Sequence, residues 1–280
     1  MRIHHLNCGT GCPLGGPIYD GRSKGLHGRL VCHCLLIESE AGLILVDTGF
    51  GTRDIADPAR RTSTLLRKVN GFELRQEETA LAQVRALGFN PDDVRHIVIS
   101  HLDFDHAGGI EDFPRAVVHL TAKEKLSAEL RRGNALVGRK RYKPVQWDEV
   151  RDWSVYPMAQ GGRWFGFDAV RELAGLPPDI LLVPLVGHTW GHSGIAVLRD
   201  DGRWLLDAGD AFFHEGELAP RYHCPPAMRA YQTLMEVDRK QRVANQRRLR
   251  ELNAAHGAEV DVFCSHDAAM FDRLAAGGRA

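Results

Sequence analysis

Four potential metal ligands lie within six residues of one another, directly after an apolar run. The segment is "ISHLDFDHAGG", which places His101, Asp103, Asp105 and His106 immediately after "HIVIS". Side chains of an extended segment alternate between its two sides, so His101 and Asp103 point the same way. A turn into a helix at Ala107 then brings Asp105 and His106 towards the same point. Imidazole and carboxylate donors suit zinc, iron or manganese, so the pattern predicts a metal site at a strand end.

Short runs rich in β-branched residues recur along the chain and predict strands. Helical periodicity is found in "EETALAQVRALG" and again from about Ala227 to His256, where apolar residues recur among charges. Hairpins come first, and strands alternating with helices follow, which indicates an α/β protein with mixed sheets covered by helices. The predicted strands are Cys32–Ser39, Leu43–Asp47, His96–Ser100, Ala116–Leu120, Ile180–Val186, Ile195–Leu198, Trp204–Ala208 and Val260–Ser265.

Several other strand ends carry histidine or aspartate. A single histidine after a strand is usually a hydrogen-bonded structural residue, but so many strand ends with such groups are hard to obtain by chance. Loops at strand ends can present side chains without disturbing a sheet, so these residues are candidates for one shared site. The segments are "LILVDTGFG" with Asp47, "VPLVGHTWGHSG" with His188 and His192, "WLLDAGDAFF" with Asp207 and Asp210, and "VDVFCSHD" with His266 and Asp267.

The ordered motifs "DTG … SHLDFDHAGG … GHTWGHSG … DAGDA … SHD" resemble the metallo-β-lactamase superfamily, and within it the lactonase-like hydrolases with "HLHFDHAGG" and "GHTPGH" segments. The resemblance extends from Cys32 to Asp267. It implies an αβ/βα four-layer sandwich of two mixed sheets with a dinuclear metal site on one edge. It further implies two metal positions, one held by His101, Asp103 and His192 and the other by Asp105, His106 and His266. Asp210 is implied to bridge the two metals. Asp47 is implied to orient the ligands through hydrogen bonds, and His188 to order its loop.

Two positions depart from the pattern of these lactonases. Asp103 stands where they have a third histidine, and we interpret it as a substituted ligand that binds directly or through a water. Its added negative charge is expected to make the metal a weaker Lewis acid. Phe213 stands where the lactonases have a tyrosine whose hydroxyl polarises the substrate carbonyl. His214 and Tyr222 are nearby in sequence as alternative donors for a substrate pocket.

The chemistry implied by the resemblance is metal-dependent hydrolysis. Two divalent ions acidify a bridging water, and the resulting hydroxide attacks the substrate while Asp105 or Asp210 relays a proton to the leaving group. We predict zinc, with iron or manganese as alternatives because Asp103 adds oxygen character. The expected substrate is a small ester or lactone, with phosphotriesters and thioesters as alternatives. An iron-dependent oxidoreductase of the same fold and a nuclease remain rival functions.

Composition limits the partners of this chain. Among 280 residues, 36 Lys plus Arg balance 36 Asp plus Glu, so no global field attracts nucleic acid or an anionic membrane. The sequence has no apolar segment of signal-peptide or membrane-spanning character, and its six cysteines are expected to be free thiols in the cytoplasm. We expect one domain over 1–280, with an insertion at about 121–179 that lines a substrate pocket or only packs on the sheet edge. A small-molecule substrate is the expected partner, and a homodimer is left open.

Overall fold

The apolar runs form the strands of two six-stranded sheets in the computed structural model, which describes residues 1–130, 138–158 and 161–277. The first sheet has its strands in chain order. Its first two pairings are antiparallel and the other three are parallel. Its members are β1 Arg2–Gly11, β2 Leu30–Ser39, β3 Gly42–Val46, β4 Val94–Val98, β5 Val117–Thr121 and β6 Trp153–Tyr156.

The second sheet is mixed as well. Its order is β12-β11-β10-β9-β8-β7, and only the pairing of β11 with β12 is parallel. The segment 121–179 supplies β6 to the first sheet and β7 and β8 to the second. The strands are β7 Gly162–Trp164, β8 Phe167–Glu172, β9 Ile180–Pro184, β10 Ser193–Leu198, β11 Trp204–Asp207 and β12 Val260–Phe263.

Successive side chains along the strands of the first sheet point to opposite faces, and each face belongs to a separate apolar core. Leu35 and Ile37 of β2 belong to the same apolar cluster as Ile195 and Phe263 of the second sheet. Their neighbour Leu36 points the other way, into a cluster beneath helix α5. Both faces of the sheet are therefore buried, which explains the continuous apolar runs.

Helices lie against both sheets: α5 and α10 contact β1, and α9 contacts β12. The predicted sandwich of two mixed sheets flanked by helices is confirmed. None of the helices in the described part of the chain combines the length and apolar character needed to cross a membrane. The helices are α1 Pro17–Asp20, α2 Thr52–Ala56, α3 Pro58–Arg61, α4 Thr64–Asn70, α5 Ala80–Ala86, α6 Ala122–Glu129, α7 Gly138–Arg141, α8 Pro226–Met235, α9 Arg239–His256 and α10 Ala268–Gly277.

The single long helix predicted from Ala227 to His256 is wrong, because the chain breaks between α8 and α9. The backbone N–H groups of Val237 and Asp238 both donate to the carbonyl of Gly187, which a continuous helix would not allow. The Asp238 side chain then accepts from the N–H of Gln241 and begins α9 as its N-cap. The break therefore ties this helical region to the loop between β9 and β10.

Candidate metal centre

The loop after β4 folds back on itself through its own backbone. The N–H groups of His106 and Ala107 both donate to the carbonyl of Asp103, at 3.0 Å. The expected α-helix at Ala107 is replaced by this turn, followed by a 3-10 turn at Ile110–Asp112. The turn still buries all four polar side chains of the motif on one side of the loop.

A first set of donor atoms surrounds one oxygen of Asp210. Asp210 Oδ2 lies 3.7 Å from His101 Nε2 and 3.2 Å from His188 Nε2. Asp103 Oδ2 lies 3.4 Å from His101 Nε2 and 3.1 Å from His188 Nε2. Ligands about 2.05 Å from a tetrahedral metal are about 3.3 Å apart, so these spacings fit one ion. We call this group the first donor set: His101, Asp103, His188 and Asp210.

A second set of donor atoms surrounds the other oxygen of Asp210. Asp210 Oδ1 lies 3.4 Å from His106 Nε2 and 3.2 Å from His266 Nε2. The nitrogen of His266 is also 3.7 Å from Asp105 Oδ2. Asp105, His106, Asp210 and His266 form the second donor set. The two oxygens of Asp210 face the two sets, and the bridging role that the resemblance implies for it stays a prediction.

Hydrogen bonding shows that metal ions fit these positions. The Nδ1 atom of His106 bonds to Asp47 at 2.7 Å, and that of His266 bonds to the carbonyl of Val31 at 2.7 Å. In the neutral imidazoles both Nε2 atoms then carry lone pairs that face each other at 3.3 Å, an arrangement that a bound cation would satisfy. Two further buried atoms, His101 Nε2 and Asp210 Oδ1, have no hydrogen-bond partner among the described residues.

The charge state of the carboxylates also suits a cation. Burial raises the pKa of Asp210, but the nearby imidazoles of His266, His106 and His188 outweigh burial and hold it well below its usual range. Burial raises the pKa of Asp105, which is the most exposed of the donors at 8%. Asp210 is thus a carboxylate between the sets, and Asp105 lies on their accessible side.

His192 is adjacent to the donor sets, but its nitrogens have other partners. Its Nδ1 bonds to the carbonyl of Leu185 at 3.0 Å, and its Nε2 accepts from the backbone N–H of Asp210 at 2.9 Å. Gly209, with φ of +54°, makes room, because a Cβ there would lie 2.6 Å from His192 Nε2. His188, expected only to order its loop, occupies the first donor set instead. The division of roles between these two histidines stays a prediction.

Asp47 bonds to His106 of the second donor set, and the orienting role that the resemblance implies for it stays a prediction. It accepts from the backbone N–H of Ser100 at 2.8 Å and from the Ser100 hydroxyl at 2.6 Å, in addition to His106. Its φ of +53° is in the left-handed region, which is uncommon for a residue other than glycine. This backbone conformation aims the carboxylate at His106 and at the start of the motif loop.

Arg141 is a component of the site that the sequence did not indicate. Its buried guanidinium donates to both oxygens of Asp103, from Nε and from Nη2, each at 2.7 Å. Burial of Asp103 by itself raises the pKa of that carboxyl, but Arg141 and His101 reverse the effect and hold it well below its usual range. In the sequence, Arg141 is only one member of the basic run "RKRYK", so nothing distinguished it.

Glu124 was also missed. This fully buried side chain of α6 accepts from the N–H of Leu102 at 3.0 Å and from the hydroxyl of Tyr142 at 3.2 Å. Its other oxygen accepts from the Thr189 hydroxyl at 2.6 Å and from the N–H of Gly191 at 3.1 Å. One carboxylate thus joins the motif loop to the loop that carries His188 and His192. The capping position of Thr121 at the start of α6 was the available signal, because Glu124 follows it at capping-box spacing.

The three residues proposed for a substrate pocket lie in different environments. The ring of Phe213 is buried and stacks on His266, with centroids 5.3 Å apart. His214 accepts from the N–H of Gly216 and begins a 3-10 turn, whereas Tyr222 is 43% exposed against Arg250. The structure instead packs Tyr231 against Phe213, at 6.0 Å.

Sequence and fold comparisons find similar proteins of known kind. A probable metallo-hydrolase of Mycobacterium bovis is 41% identical over 272 residues, which are 97% of this chain and 82% of that protein. An N-acyl homoserine lactonase of Bacillus thuringiensis is 31% identical over 180 residues, 64% of this chain and 63% of the lactonase. One similar solved structure is an N-acyl homoserine lactone hydrolase with the product N-hexanoyl-L-homoserine bound at its catalytic metal centre. The two folds match with a TM-score of 0.72 at 20% identity, over 97% of this chain and 95% of the hydrolase chain.

The family model described as the metallo-beta-lactamase superfamily matches residues 27–255, which include every member of both donor sets except His266. The resemblance seen in the ordered motifs is thereby confirmed. This chain belongs to the metallo-β-lactamase superfamily.

Proposed function

We propose that this chain is a metal-dependent hydrolase that opens a small ester or lactone. The observation that carries the proposal is the position of Asp210, whose two oxygens each face a separate set of imidazole and carboxylate donors. Two divalent ions are the corresponding cofactor, with zinc as the first choice for donor sets that combine two imidazoles with two carboxylates. Iron and manganese remain compatible with the carboxylate at position 103.

When bound, the metal ions supply an activated water and polarise the oxygen of the substrate carbonyl. The protein positions the remaining groups. Among the described residues, His266 at 3.7 Å is the ion-pair neighbour of Asp105, which lies on the accessible side. The other oxygen of Asp105 can therefore accept a proton from the attacking water and return it to the leaving group. Asp210 is enclosed by four imidazoles and serves to hold the two positions together.

The substrate side of the centre is apolar. Phe213 covers His266, and Tyr231 packs on Phe213 near the aromatic cluster of Phe50 and Phe104. The hydroxyl of Tyr231 accepts from the side-chain amide of Asn70 at 2.9 Å, which leaves its proton available to a substrate oxygen. We assign Tyr231 the carbonyl-polarising role that Phe213 lacks. A small substrate with a moderately apolar acyl group fits these walls.

Purified protein assayed on a panel of lactones, aryl esters, thioesters and phosphotriesters tests the function. We expect hydrolysis of at least one ester or lactone, and its loss in His106→Ala. The matched control is His256→Ala, because His256 is a surface histidine paired with Glu259. Equal activity of His106→Ala and the wild type contradicts the proposal. A strongly coloured, iron-loaded protein without hydrolytic activity supports the oxidoreductase instead.

A further inference from the structure

We propose that Asp103 and Arg141 act as one unit, in which Asp103 is a metal ligand of the first donor set and Arg141 is the positioning residue that balances its charge. The unit takes the place of the neutral imidazole found at this position of the lactonase motif. This inference rests on the proposed metal-dependent function and specifies how its first metal position is built.

The carboxylate of Asp103 has partners on two sides. On one side, both of its oxygens accept from Arg141 at 2.7 Å. On the other side, Oδ2 lies 3.1 Å and 3.4 Å from the Nε2 atoms of His188 and His101. An ionised carboxylate oxygen offers more than one lone pair, so the bond to Arg141 does not prevent Oδ2 from binding an ion.

The guanidinium of Arg141 lies behind this carboxylate, away from the bridging residue. In the described part of the chain, Asp103 is the carboxylate within ion-pair distance of Arg141, and Asp210 is beyond it. The remaining N–H groups of Arg141 donate to the carbonyls of His188 at 3.1 Å and Met235 at 2.8 Å. The guanidinium therefore also bonds to neutral carbonyls, while its Nη2 atom lies beside two of the four donor atoms, 2.7 Å from Asp103 Oδ2 and 2.6 Å from His188 Nε2.

One further contact joins Arg141 to His188. Nη2 of Arg141 lies 2.6 Å from His188 Nε2, so the same guanidinium edge holds both Asp103 and His188 at their mutual distance of 3.1 Å. Arg141 thus contacts two members of the first donor set. Binding of an ion requires His188 Nε2 to turn its lone pair from Arg141 towards that ion.

The backbone fixes this arrangement as well. The N–H of Phe104 donates to the carbonyl of Arg141 at 3.1 Å, and Asp103 and Tyr142 form an antiparallel bridge. The chain around Arg141 is thereby held in register with the metal-binding motif. A neighbouring residue of the basic run cannot replace Arg141, since its side chain would leave from another point of this register.

Charge explains why the two residues need each other. Histidine is neutral as a ligand, and Asp103 adds one negative charge, which Arg141 cancels. A buried charge without its partner is strongly unfavourable. Replacing Asp103 by histidine alone leaves a buried guanidinium beside a cation site, whereas replacing both members restores the lactonase-like neutral set. The weaker Lewis acidity expected from the sequence is accordingly offset by Arg141.

A double-mutant cycle on metal loading tests the inference. The proteins are the wild type, Asp103→His, Arg141→Met and the double variant, and Arg163→Met is the control because Arg163 is an exposed arginine paired with Asp168. Each is stripped of metal, reloaded with Zn²⁺, dialysed and analysed for metal per chain. Cobalt(II) titrations followed by visible absorption count the positions independently.

We expect two ions per chain in the wild type, the control and the double variant, and one in Asp103→His. Two ions in Asp103→His, with a cobalt titration identical to that of the double variant, overturn the inference because the residues are then uncoupled. If the single variants fail to fold, the wild-type cobalt titration still decides, since a single position would show that the ion pair excludes the metal.

The outcome is separable from that of the proposed function. A wild type that binds one ion and hydrolyses esters overturns only the role of Asp103 and Arg141. A wild type that binds two ions and shows the coupling, but hydrolyses nothing in the panel, overturns only the hydrolase. Protein that binds no metal overturns both.

Discussion

Replacement of Glu124 by glutamine should destabilise the two loops that carry the metal donors, although Glu124 is not a metal donor itself. Glutamine retains one oxygen, which can still accept from Leu102 and Tyr142. Its amide NH₂ must then replace the oxygen that accepts from Thr189 and from the N–H of Gly191. The Thr189 hydroxyl can rotate and accept, but the N–H of Gly191 cannot.

The structure sets the size of this effect. A buried donor left without an acceptor costs about 1–3 kcal/mol. Burial raises the pKa of Glu124, so removing its charge recovers part of that loss. We therefore expect the free energy of unfolding of the metal-free protein to fall by about 2 kcal/mol. Gly191 lies beside His192 in the loop that also carries His188. The metal affinity of the first donor set should therefore fall together with the stability of the protein.

Urea unfolding of the metal-free proteins measures the change in the free energy of unfolding. The comparison requires equal m-values, because these show that both proteins expose the same surface on unfolding. Glu129→Gln is the matched control, because Glu129 lies on the same helix, is 51% exposed and pairs only with Lys125 among described residues. The control should differ from the wild type by less than about 0.5 kcal/mol. If Glu124→Gln behaves like Glu129→Gln, Glu124 does not organise the two loops and the reasoning fails.

Three other predictions follow from the site and the core. Asp47→Asn removes the charge that orients His106 and should weaken metal binding by about 10- to 100-fold, measured by competition with a chelator; unchanged affinity would contradict this role. Tyr231→Phe should lower kcat on the order of 10²-fold while Tyr222→Phe leaves it unchanged, and equal rates for the two would refute the assigned hydroxyl. Burial lowers the pKa of His119 from 6.5 to about 4, so this neutral histidine stabilises the fold above pH 6.5 and the stability is lost as the pH falls towards 4. Between pH 7 and pH 5, the wild type should lose about 2 kcal/mol more unfolding free energy than His119→Gln, and parallel pH curves would exclude this contribution.

Much of the metal centre could be predicted because strand ends place their loops at one edge of the sheets. Asp47, His106 and His266 follow three different strands, and the apolar runs before them marked those strands in the sequence. The candidate residue Asp210 was marked by its place after an apolar run, whereas its bridging role came only from the family resemblance and stays a prediction. These are local signals, since each depends on a few adjacent residues.

The parts that could not be predicted depend on contacts between distant segments. Arg141 reaches Asp103 across 38 positions of the chain, and nothing in its own segment marks that contact. His188 and His192 share one loop, and their different environments are decided by backbone groups of Leu185 and Asp210. The break between α8 and α9 likewise depends on a single carbonyl, that of Gly187.

Strand prediction failed where alternation was weak. The strand β1 at Arg2–Gly11 is mostly half-buried and carries polar residues, so its pattern did not resemble an apolar run. The short strands β6 and β7 lie at sheet edges, and one of four residues in β6 and two of three in β7 are exposed. Their positions are set by pairing with neighbouring strands and not by their own composition.

Removal and return of metal tests the central claim most directly. The protein is stripped with a chelator, and hydrolysis of the best ester or lactone is followed as Zn²⁺ is added back in known amounts. We predict no activity in the stripped protein and a rise in activity that tracks the metal bound per chain. Stripped protein that hydrolyses the substrate at the full rate would contradict the account.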